Sequence, residues 1–287
     1  MSNLNIFKIG VGPSSSHTLG PLIAGNLFCK KLDSVLQDAE RVEVSLYGSL
    51  SLTGRGHLTD RAVIWGKKEI SFSYDRDIIF SDNFLELHEN GMCIKAFDSN
   101  NKEIASQIYY SVGGGFVKTE EELKEGDMES DSNNIDMSIE NATKALYLCD
   151  EKQVNLAQLS LMYELQFNTE EYIKAYCLEI WQVMQEVYEN GTNPTQEYLP
   201  GKLHLRRRAK GLHERVKATT DPMGIIDFIS LYAIAIAEEN GSGAKVVTAP
   251  TNGACAVIPA VMLYLKNHTI GFGDKEAIDF LLTAMLI

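Results

Sequence analysis

The chain has 287 residues, with 26 Lys and Arg against 39 Asp and Glu, which gives a formal net charge of −13. This charge argues against nucleic acid as a partner, because phosphate binding is driven by clusters of Lys and Arg. Its composition, 45% hydrophobic and 23% charged, is typical of a soluble globular protein, and its length favours about two domains. No apolar run reaches the roughly 20 residues of a membrane span, and the N-terminus lacks the pattern of a signal peptide. The sequence therefore predicts a cytoplasmic protein with no membrane partner.

The first stretch whose residues could bind a ligand or act in catalysis is 10–21, GVGPSSSHTLGP. Ser14, Ser15 and Ser16 place hydroxyls at a predicted helix N-terminus, an arrangement that attracts anions. His17 adds a group that gives or takes a proton near neutral pH. The helix is predicted from apolar residues at helical spacing, namely Leu19, Leu22, Ile23 and Leu27. Taken alone, these residues equally fit a serine-rich N-cap with a structural histidine.

A second polar stretch follows a predicted strand. Residues 41–46 alternate apolar and polar side chains, as a half-buried strand does, and lead into 47–60, YGSLSLTGRGHLTD. Several polar groups lie there between glycines: Ser49, Ser51, Thr53, Arg55 and His57. An ordinary glycine loop between a strand and a helix is the alternative to a site.

A predicted hairpin completes the N-terminal half. Its first strand leads from Met92 to Phe97, and its second runs over 104–112 after a turn at 98–101. The second strand contains Ser111 and ends in 113–115, three glycines whose backbone we expect to meet a ligand or another segment. Residues 1–118 thus predict a mixed α/β domain.

The C-terminal half is predicted to be helical. An acidic linker, 119–138, separates it from the first domain. Asn155 with Gln158 forms a capping-box pattern, and Asn168 with Glu171 starts a longer helix that Gly191 is expected to end. A further helix is predicted to begin at Asp221-Pro222 and to run to Gly241. The fold class is therefore α+β, with residues 139–287 forming an all-helical domain.

Two further segments carry candidate binding groups. After Val246 and Val247, a turn at 251–253 is expected to present the Asn252 amide to a carboxylate, although a simple N-capping turn fits equally well. Residues 206–208, three arginines, could clamp a carboxylate, but an exposed basic turn or a partner for the acidic linker is favoured, and they are left out of the site.

The five cysteines show no metal-binding pattern. They lie at 29, 93, 149, 177 and 255, none at the short spacings of zinc, redox or ferredoxin sites, so most are expected to be small buried apolar residues. The sequence predicts no metal ligands here. The last residues, 274–287, begin as an amphipathic helix and stop in an apolar run without a cap, which predicts a truncated chain.

Four motifs together resemble the bacterial iron–sulfur L-serine dehydratases (L-serine ammonia-lyases) of the single-chain type. They are the segment 10–21, GSLSLTGRGH at 48–57, YYSVGGGF at 109–116 and VVTAPTNGAC at 246–255, in the family's order. The similarity runs from about Phe7 to the last residue. It implies a beta-chain-like α/β domain followed by an alpha-chain-like catalytic domain that is incomplete at its C-terminus.

The resemblance also implies a reaction. Members eliminate water from L-serine to give pyruvate and ammonia without pyridoxal phosphate, using a 4Fe–4S cluster whose open iron acts as a Lewis acid on the substrate hydroxyl. The cluster cysteines are expected in the missing C-terminal part, and Cys255 is not expected to be a ligand. By motif match His17 and His57 are expected to be catalytic, without a decision on which is the base. Substrate binding is expected of Ser15, Ser16, Ser111 and Asn252.

Three interpretations remain open from the sequence. The chain is an inactive portion of a serine dehydratase, an active assembly in which a separate chain supplies the rest, or a non-catalytic amino-acid-binding or regulatory protein. The expected protein partner is a second copy, forming a homodimer, or a complementing chain. The sequence does not separate serine from threonine as the substrate.

Overall fold

A computed structural model describes residues 2–31, 39–55, 57, 59, 73–125, 137–201, 203–217 and 224–287. The chain forms two compact units. One consists of Gly10–Ser130 and contains a five-stranded sheet, so we call it the sheet unit. The other, the helical unit, combines Met1–Ile9 with Asp131–Ile287. This architecture confirms the predicted α+β class.

The sheet unit is built on five strands in the order Ile78–Phe80 (β3), Arg41–Leu46 (β2), Gly91–Phe97 (β4), Glu103–Gly113 (β5) and Phe116–Thr119 (β6). Strands β2 and β3 are parallel, and the other neighbours are antiparallel. A π-helical turn, Ser15–Leu19, leads directly into the first helix. The regular elements are α1 (Gly20–Lys31), β2 (Arg41–Leu46), α2 (Gly48–Thr53), α3 (Tyr74–Asp77), β3 (Ile78–Phe80), β4 (Gly91–Phe97), β5 (Glu103–Gly113), β6 (Phe116–Thr119) and α4 (Glu120–Lys124).

Local sequence patterns predicted much of this unit. The strand over 41–46 and the hairpin of β4 and β5 are confirmed, because alternation of apolar residues matches the two faces of a strand. The predicted apolar stripe of α1 is only partly right. Leu27 is 41% exposed, whereas Ala24 and Phe28 are buried in the core beneath the sheet.

The segment around β6 refines two expectations. Gly113, Gly114 and Gly115 all have positive φ, and a Cβ on Gly115 would lie 2.7 Å from Leu19 Cδ2. The glycine turn thus packs against Leu19, and the positive φ of Gly115 is a conformation that favours glycine. The acidic stretch 119–138 begins in regular structure, because Thr119 ends β6 and caps α4 through a capping box with Glu122. Its residues 126–136 lie outside the described part of the chain.

The helical unit consists of helices around one long central helix. Lys8 and Ile9 start a short strand that forms a two-stranded sheet with the last strand. The elements are β1 (Lys8–Val11), α5 (Ala142–Lys152), α6 (Leu156–Glu164), α7 (Glu170–Thr192), α8 (Ala209–Lys217), α9 (Gly224–Gly241), β7 (Lys245–Thr248), α10 (Val257–His268) and α11 (Asp274–Leu286).

The helix boundaries show what local patterns can and cannot predict. The capping box of Asn155 and Gln158 is confirmed. The N-cap of α7 is Thr169 and not Asn168, because the Thr169 side chain accepts the Tyr172 N–H. Gly191 does not end α7 either. A Cβ there would lie 2.4 Å from the carbonyl oxygen of Ala235, so this glycine permits the close approach of α7 and α9. The predicted start at 221–222 lies outside the described residues.

The core of the helical unit includes its N-terminal segment. Leu4 and Phe7 are buried with the apolar face of α7, whose predicted stripe is confirmed as core by Ile173, Cys177 and Ile180. The backbone carbonyl of Phe7 accepts a hydrogen bond from Tyr176 Oη at 2.5 Å. Among the helices of the described ranges, none combines the length and apolar character that crossing a membrane requires.

The three arginines at 206–208 are not equivalent. Arg206 is exposed and pairs with Glu197, as expected for a basic turn. The Arg207 side chain is only 7% exposed and forms an ion pair with Glu239, N···O 2.5 Å. The carboxylate of Glu238 accepts the N–H groups of Arg208 and Ala209 and so caps α8. The interpretation as an exposed basic turn is therefore wrong for Arg207.

Candidate active site

The serine run lies at a helix N-terminus, as the sequence predicts. Ser14 is the N-cap of the π-helical turn, and its Oγ accepts the His17 N–H at 3.1 Å. Ser15 is buried, whereas Ser16 is half-buried beside it. The cap therefore fixes the backbone of His17 at the start of the helix.

The His17 ring is held by hydroxyls on both sides. Its Nδ1 lies 2.8 Å from Ser16 Oγ, and its Nε2 lies 2.9 Å from Ser49 Oγ, which α2 supplies. Burial, reinforced by the nearby His57, lowers the pKa of His17 below its usual value. The ring is therefore neutral at pH 7, with one nitrogen donating to a hydroxyl and the other accepting from one.

His57 lies next to His17 and differs from it in one respect. The ring centroids are 4.9 Å apart and the ring planes are inclined by 39°. His57 Nδ1 lies 3.1 Å from the carbonyl oxygen of Thr53. Because a carbonyl oxygen only accepts, Nδ1 carries the proton in neutral His57 and Nε2 carries the lone pair. Among the described residues, none forms a hydrogen bond with His57 Nε2, so the lone pair of this nitrogen is available to a ligand.

Two buried threonines join the segments that carry the histidines. Thr18 Oγ1 donates to the carbonyl oxygen of His57 at 2.6 Å, and Thr59 Oγ1 donates to that of His17 at 2.5 Å. Both threonines are 0% exposed. Thr18 and Thr59 were not predicted from the sequence, and Ser49 was not among the predicted site residues. Their position inside the two histidine motifs was the available signal.

Ser111 lies in β5 as a fully buried residue with an unsatisfied hydroxyl. Its Oγ has no hydrogen-bond partner among the described residues, although its backbone N–H donates to the Asn90 carbonyl. A Cβ on Gly20, the first residue of α1, would lie 2.1 Å from this Oγ. The sheet unit thus places Ser111 directly against the helix that follows Ser15, Ser16 and His17.

Asn252 belongs to the helical unit. It starts a short 3-10 turn, Asn252–Ala254, after β7 and is 1% exposed. Its Nδ2 donates to Asn240 Oδ1 at 2.8 Å. The amide therefore has a protein partner, and its role toward a carboxylate stays a prediction.

The residues present do not fit a 4Fe–4S cluster. All five cysteines lie in the described ranges, and these ranges contain no group of three His, Cys, Asp or Glu side chains that could hold a metal ion. Burial raises the pKa of Cys177 to about 12 and that of Cys255 to about 11, which disfavours the thiolates that ligate iron. The expectation that most cysteines are small buried residues is confirmed, since Cys93, Cys177 and Cys255 are buried.

Known proteins resemble the chain throughout. The family model for the serine dehydratase beta chain matches residues 2–69 and 65–122, and that for the serine dehydratase alpha chain matches 99–287. An L-serine dehydratase of Helicobacter pylori is 42% identical, over 100% of this chain and 70% of that protein. L-serine dehydratase 2 of Escherichia coli is 38% identical, over 100% and 70%. An L-serine dehydratase of Haemophilus influenzae is 36% identical, over 100% and 71%. With this identity over its whole length, the chain belongs to the serine dehydratase family.

Proposed function

We propose that this protein is a carbon–nitrogen lyase that converts L-serine to pyruvate and ammonia. The names of its relatives support the substrate, since each is an L-serine dehydratase. In this reaction a base removes the Cα proton and the hydroxyl leaves from Cβ with its electron pair. The resulting enamine tautomerises to an imine, which water hydrolyses to the keto acid and ammonia.

The open Nε2 of His57 is the observation that carries the proposal. A general base needs a lone pair that no neighbour occupies, together with a partner that fixes its tautomer. The carbonyl of Thr53 fixes the tautomer by accepting from Nδ1. We therefore assign proton removal from Cα to His57 Nε2.

His17 has a different role in this proposal. Both of its ring nitrogens face hydroxyls, and its lowered pKa keeps it uncharged. A neutral ring next to His57 adds no positive charge that would oppose protonation of His57. His17 thus holds Ser16 and Ser49 in place, while Ser16 and the unsatisfied hydroxyl of Ser111 are the groups proposed to meet the substrate.

The 4Fe–4S cluster stays a proposal that rests on the resemblance. The cysteines of this chain do not assemble a site for it, so its ligands would have to be cysteines other than these five, from further sequence or from a complementing chain. No step is assigned to it, and the departure of the hydroxyl is assigned to no residue described above.

The test is a pyruvate and ammonia assay with L-serine, after anaerobic treatment with iron and sulfide, on this chain combined with the part of the Helicobacter pylori relative that it does not match, because the five cysteines of this chain assemble no cluster site. His57→Asn is the informative variant, because the Asn amide replaces the Nδ1 donor to Thr53 but provides no base at Nε2. We expect turnover by the parent and a loss of about 10²- to 10⁴-fold in His57→Asn. His204→Asn is the matched control, because His204 is exposed and has a φ of 46°, which Asn adopts readily.

Three outcomes would count against the proposal. Parental activity in His57→Asn would show that His57 is not the base. Equal losses in His57→Asn and His204→Asn would show a general effect on folding. Binding of L-serine without any pyruvate, both before and after reconstitution, would favour a non-catalytic amino-acid-binding protein.

A further inference from the structure

The two histidine segments are joined by a reciprocal pair of hydrogen bonds. Thr18 directly follows His17 and donates to the carbonyl of His57. Thr59 lies two residues after His57 and donates to the carbonyl of His17. Each threonine thus binds the backbone of the residue that carries the other ring, across 39 and 42 positions of sequence.

The direction of the Thr18 bond is fixed by its surroundings. Thr18 Oγ1 also accepts the backbone N–H of Ser14 at 3.1 Å. Because an N–H only donates and a carbonyl only accepts, the hydroxyl proton of Thr18 must point at His57. A hydroxyl is therefore required at this position, and an apolar side chain of the same shape would leave the Ser14 N–H and the His57 carbonyl without this partner.

Few other contacts hold the segments together. Among the residues described in 14–20 and 53–59, no backbone-to-backbone hydrogen bond joins one segment to the other. The His17 ring does reach Ser49 at the start of α2. Both threonines are 0% exposed, so water does not compete for their bonds.

We propose that Thr18 and Thr59 are positioning residues that set the separation of the His17 and His57 rings. The inference rests on the proposed function, in which these rings act together on the substrate. Fixing both backbones leaves only the side-chain torsions free, and the Ser49 and Thr53 contacts restrain those torsions in turn. A displacement of about 1 Å between catalytic groups is enough to lower turnover strongly.

The experiment compares Thr18→Val and Thr59→Val with Thr18→Ser and Thr59→Ser in the full 287-residue chain. Valine keeps the shape but removes the hydroxyl, whereas serine keeps the hydroxyl. Histidine side-chain NMR titration reports on ring separation without any need for turnover. We expect the pKa of His17 to rise toward its usual value in the valine variants, because the His57 ring moves away and water gains access, and to stay parental in the serine variants.

Activity provides the second measurement. We expect a loss of about 10- to 100-fold in kcat for the valine variants, a smaller change in KM, and recovery in the serine variants. Thr283→Val is the matched control, since its hydroxyl donates to the carbonyl of Asp279 within one helix and joins no histidine segment. It should leave both the His17 titration and kcat unchanged.

Different experimental outcomes would overturn this inference and the proposed function. An inactive parent with the expected His17 titration pattern would overturn the proposed function alone. Folded valine variants with parental His17 titration would overturn the positioning role. If a valine variant does not fold, the inference is tested in the parent by the rate at which the hydroxyl protons of Thr18 and Thr59 exchange with solvent. Slow exchange with solvent is expected, and fast exchange would overturn the inference.

Discussion

Gly20 lies against Ser111 so closely that a Cβ on the glycine would be 2.1 Å from Ser111 Oγ and 2.8 Å from Ser111 Cβ. Both distances are far below van der Waals contact, so Gly20→Ala must displace α1 or β5. We expect a loss of about 1–3 kcal/mol in the free energy of unfolding, measured by urea denaturation. Adding Ser111→Gly removes both clashing atoms. In the double-mutant cycle the two changes should therefore be coupled, and simple additivity would contradict this packing.

Replacing Ser111 by alanine should not lower the free energy of unfolding, unlike an ordinary substitution that removes a hydrogen bond. The buried Oγ makes no hydrogen bond within the described part of the chain, so its removal loses no partner and ends an uncompensated desolvation. We expect Ser111→Ala to be neutral or to stabilise the protein by up to about 1 kcal/mol in thermal or urea unfolding. If substrate meets this hydroxyl, KM for L-serine should rise in the same variant. A clear loss of stability would show that Ser111 has a structural partner.

The lowered pKa of His17 predicts how stability depends on pH. Below its usual pKa of about 6.5 the unfolded chain binds a proton at His17 that the folded chain excludes. The contribution of His17 to the free energy of unfolding is thus fully present above about pH 6.5. It falls as the pH drops toward the pKa of His17 in the folded protein and levels off below that pKa. Urea denaturation at several pH values across this range should show that the free energy of unfolding falls less steeply with decreasing pH in His17→Gln than in the parent. His204→Asn, at an exposed position, should follow the parent.

Glu164 should anchor the N-terminal segment of the helical unit. It is 0% exposed and accepts hydrogen bonds from Ser2 Oγ at 2.5 Å and from the Asn3 N–H at 2.7 Å. Glu164→Gln keeps the shape but replaces one accepting oxygen by a donor, which should cost about 1–3 kcal/mol. Hydrogen exchange should show faster opening of 2–7 in this variant. The exposed Glu179→Gln on α7 is the control, and equal protection in both variants would refute the anchor.

Neighbouring arginines should differ sharply in their contribution to stability. The Arg207–Glu239 pair is 7% and 10% exposed, whereas the Arg206–Glu197 pair is 71% and 59% exposed. Removing one partner of a buried pair leaves an uncompensated charge, so Arg207→Ala should cost about 3–5 kcal/mol. Arg206→Ala should cost at most about 1 kcal/mol, because water screens the exposed pair. Similar melting temperatures for the two variants would contradict this difference.

Those features that the sequence predicted correctly depend on neighbouring residues. The capping box of Asn155 with Gln158 spans three positions, and the alternation over 41–46 and through the β4–β5 hairpin repeats every two residues. Such patterns are complete within a short window, so the elements they specify can be recognised without the fold. The polar groups that cluster around His17 and His57 in the sequence likewise mark both histidines as candidates on local grounds alone.

The features that the sequence did not predict depend on contacts between distant positions. Gly191 looked like a helix stop, yet its absent side chain makes room for Ala235 on another helix. Arg207 looked exposed because its partner, Glu239, lies 32 positions away. Thr18 and Thr59 are ordinary residues in the sequence, and their role becomes visible only when the fold brings the two histidine segments together. No periodicity encodes such pairings.

The composition of the helical unit has a consequence for synthesis on the ribosome. Leu4 and Phe7 emerge first, but the residues that bury them lie in α7 and beyond, after the whole of Gly10–Ser130 has been made. At about 5–20 residues per second, the 163 positions from Phe7 to the start of α7 at Glu170 leave these apolar side chains without their native partners for at least about 8–33 s. A nascent chain must keep them from aggregating during that delay, so a chaperone that covers Leu4 and Phe7 should raise the yield of folded protein.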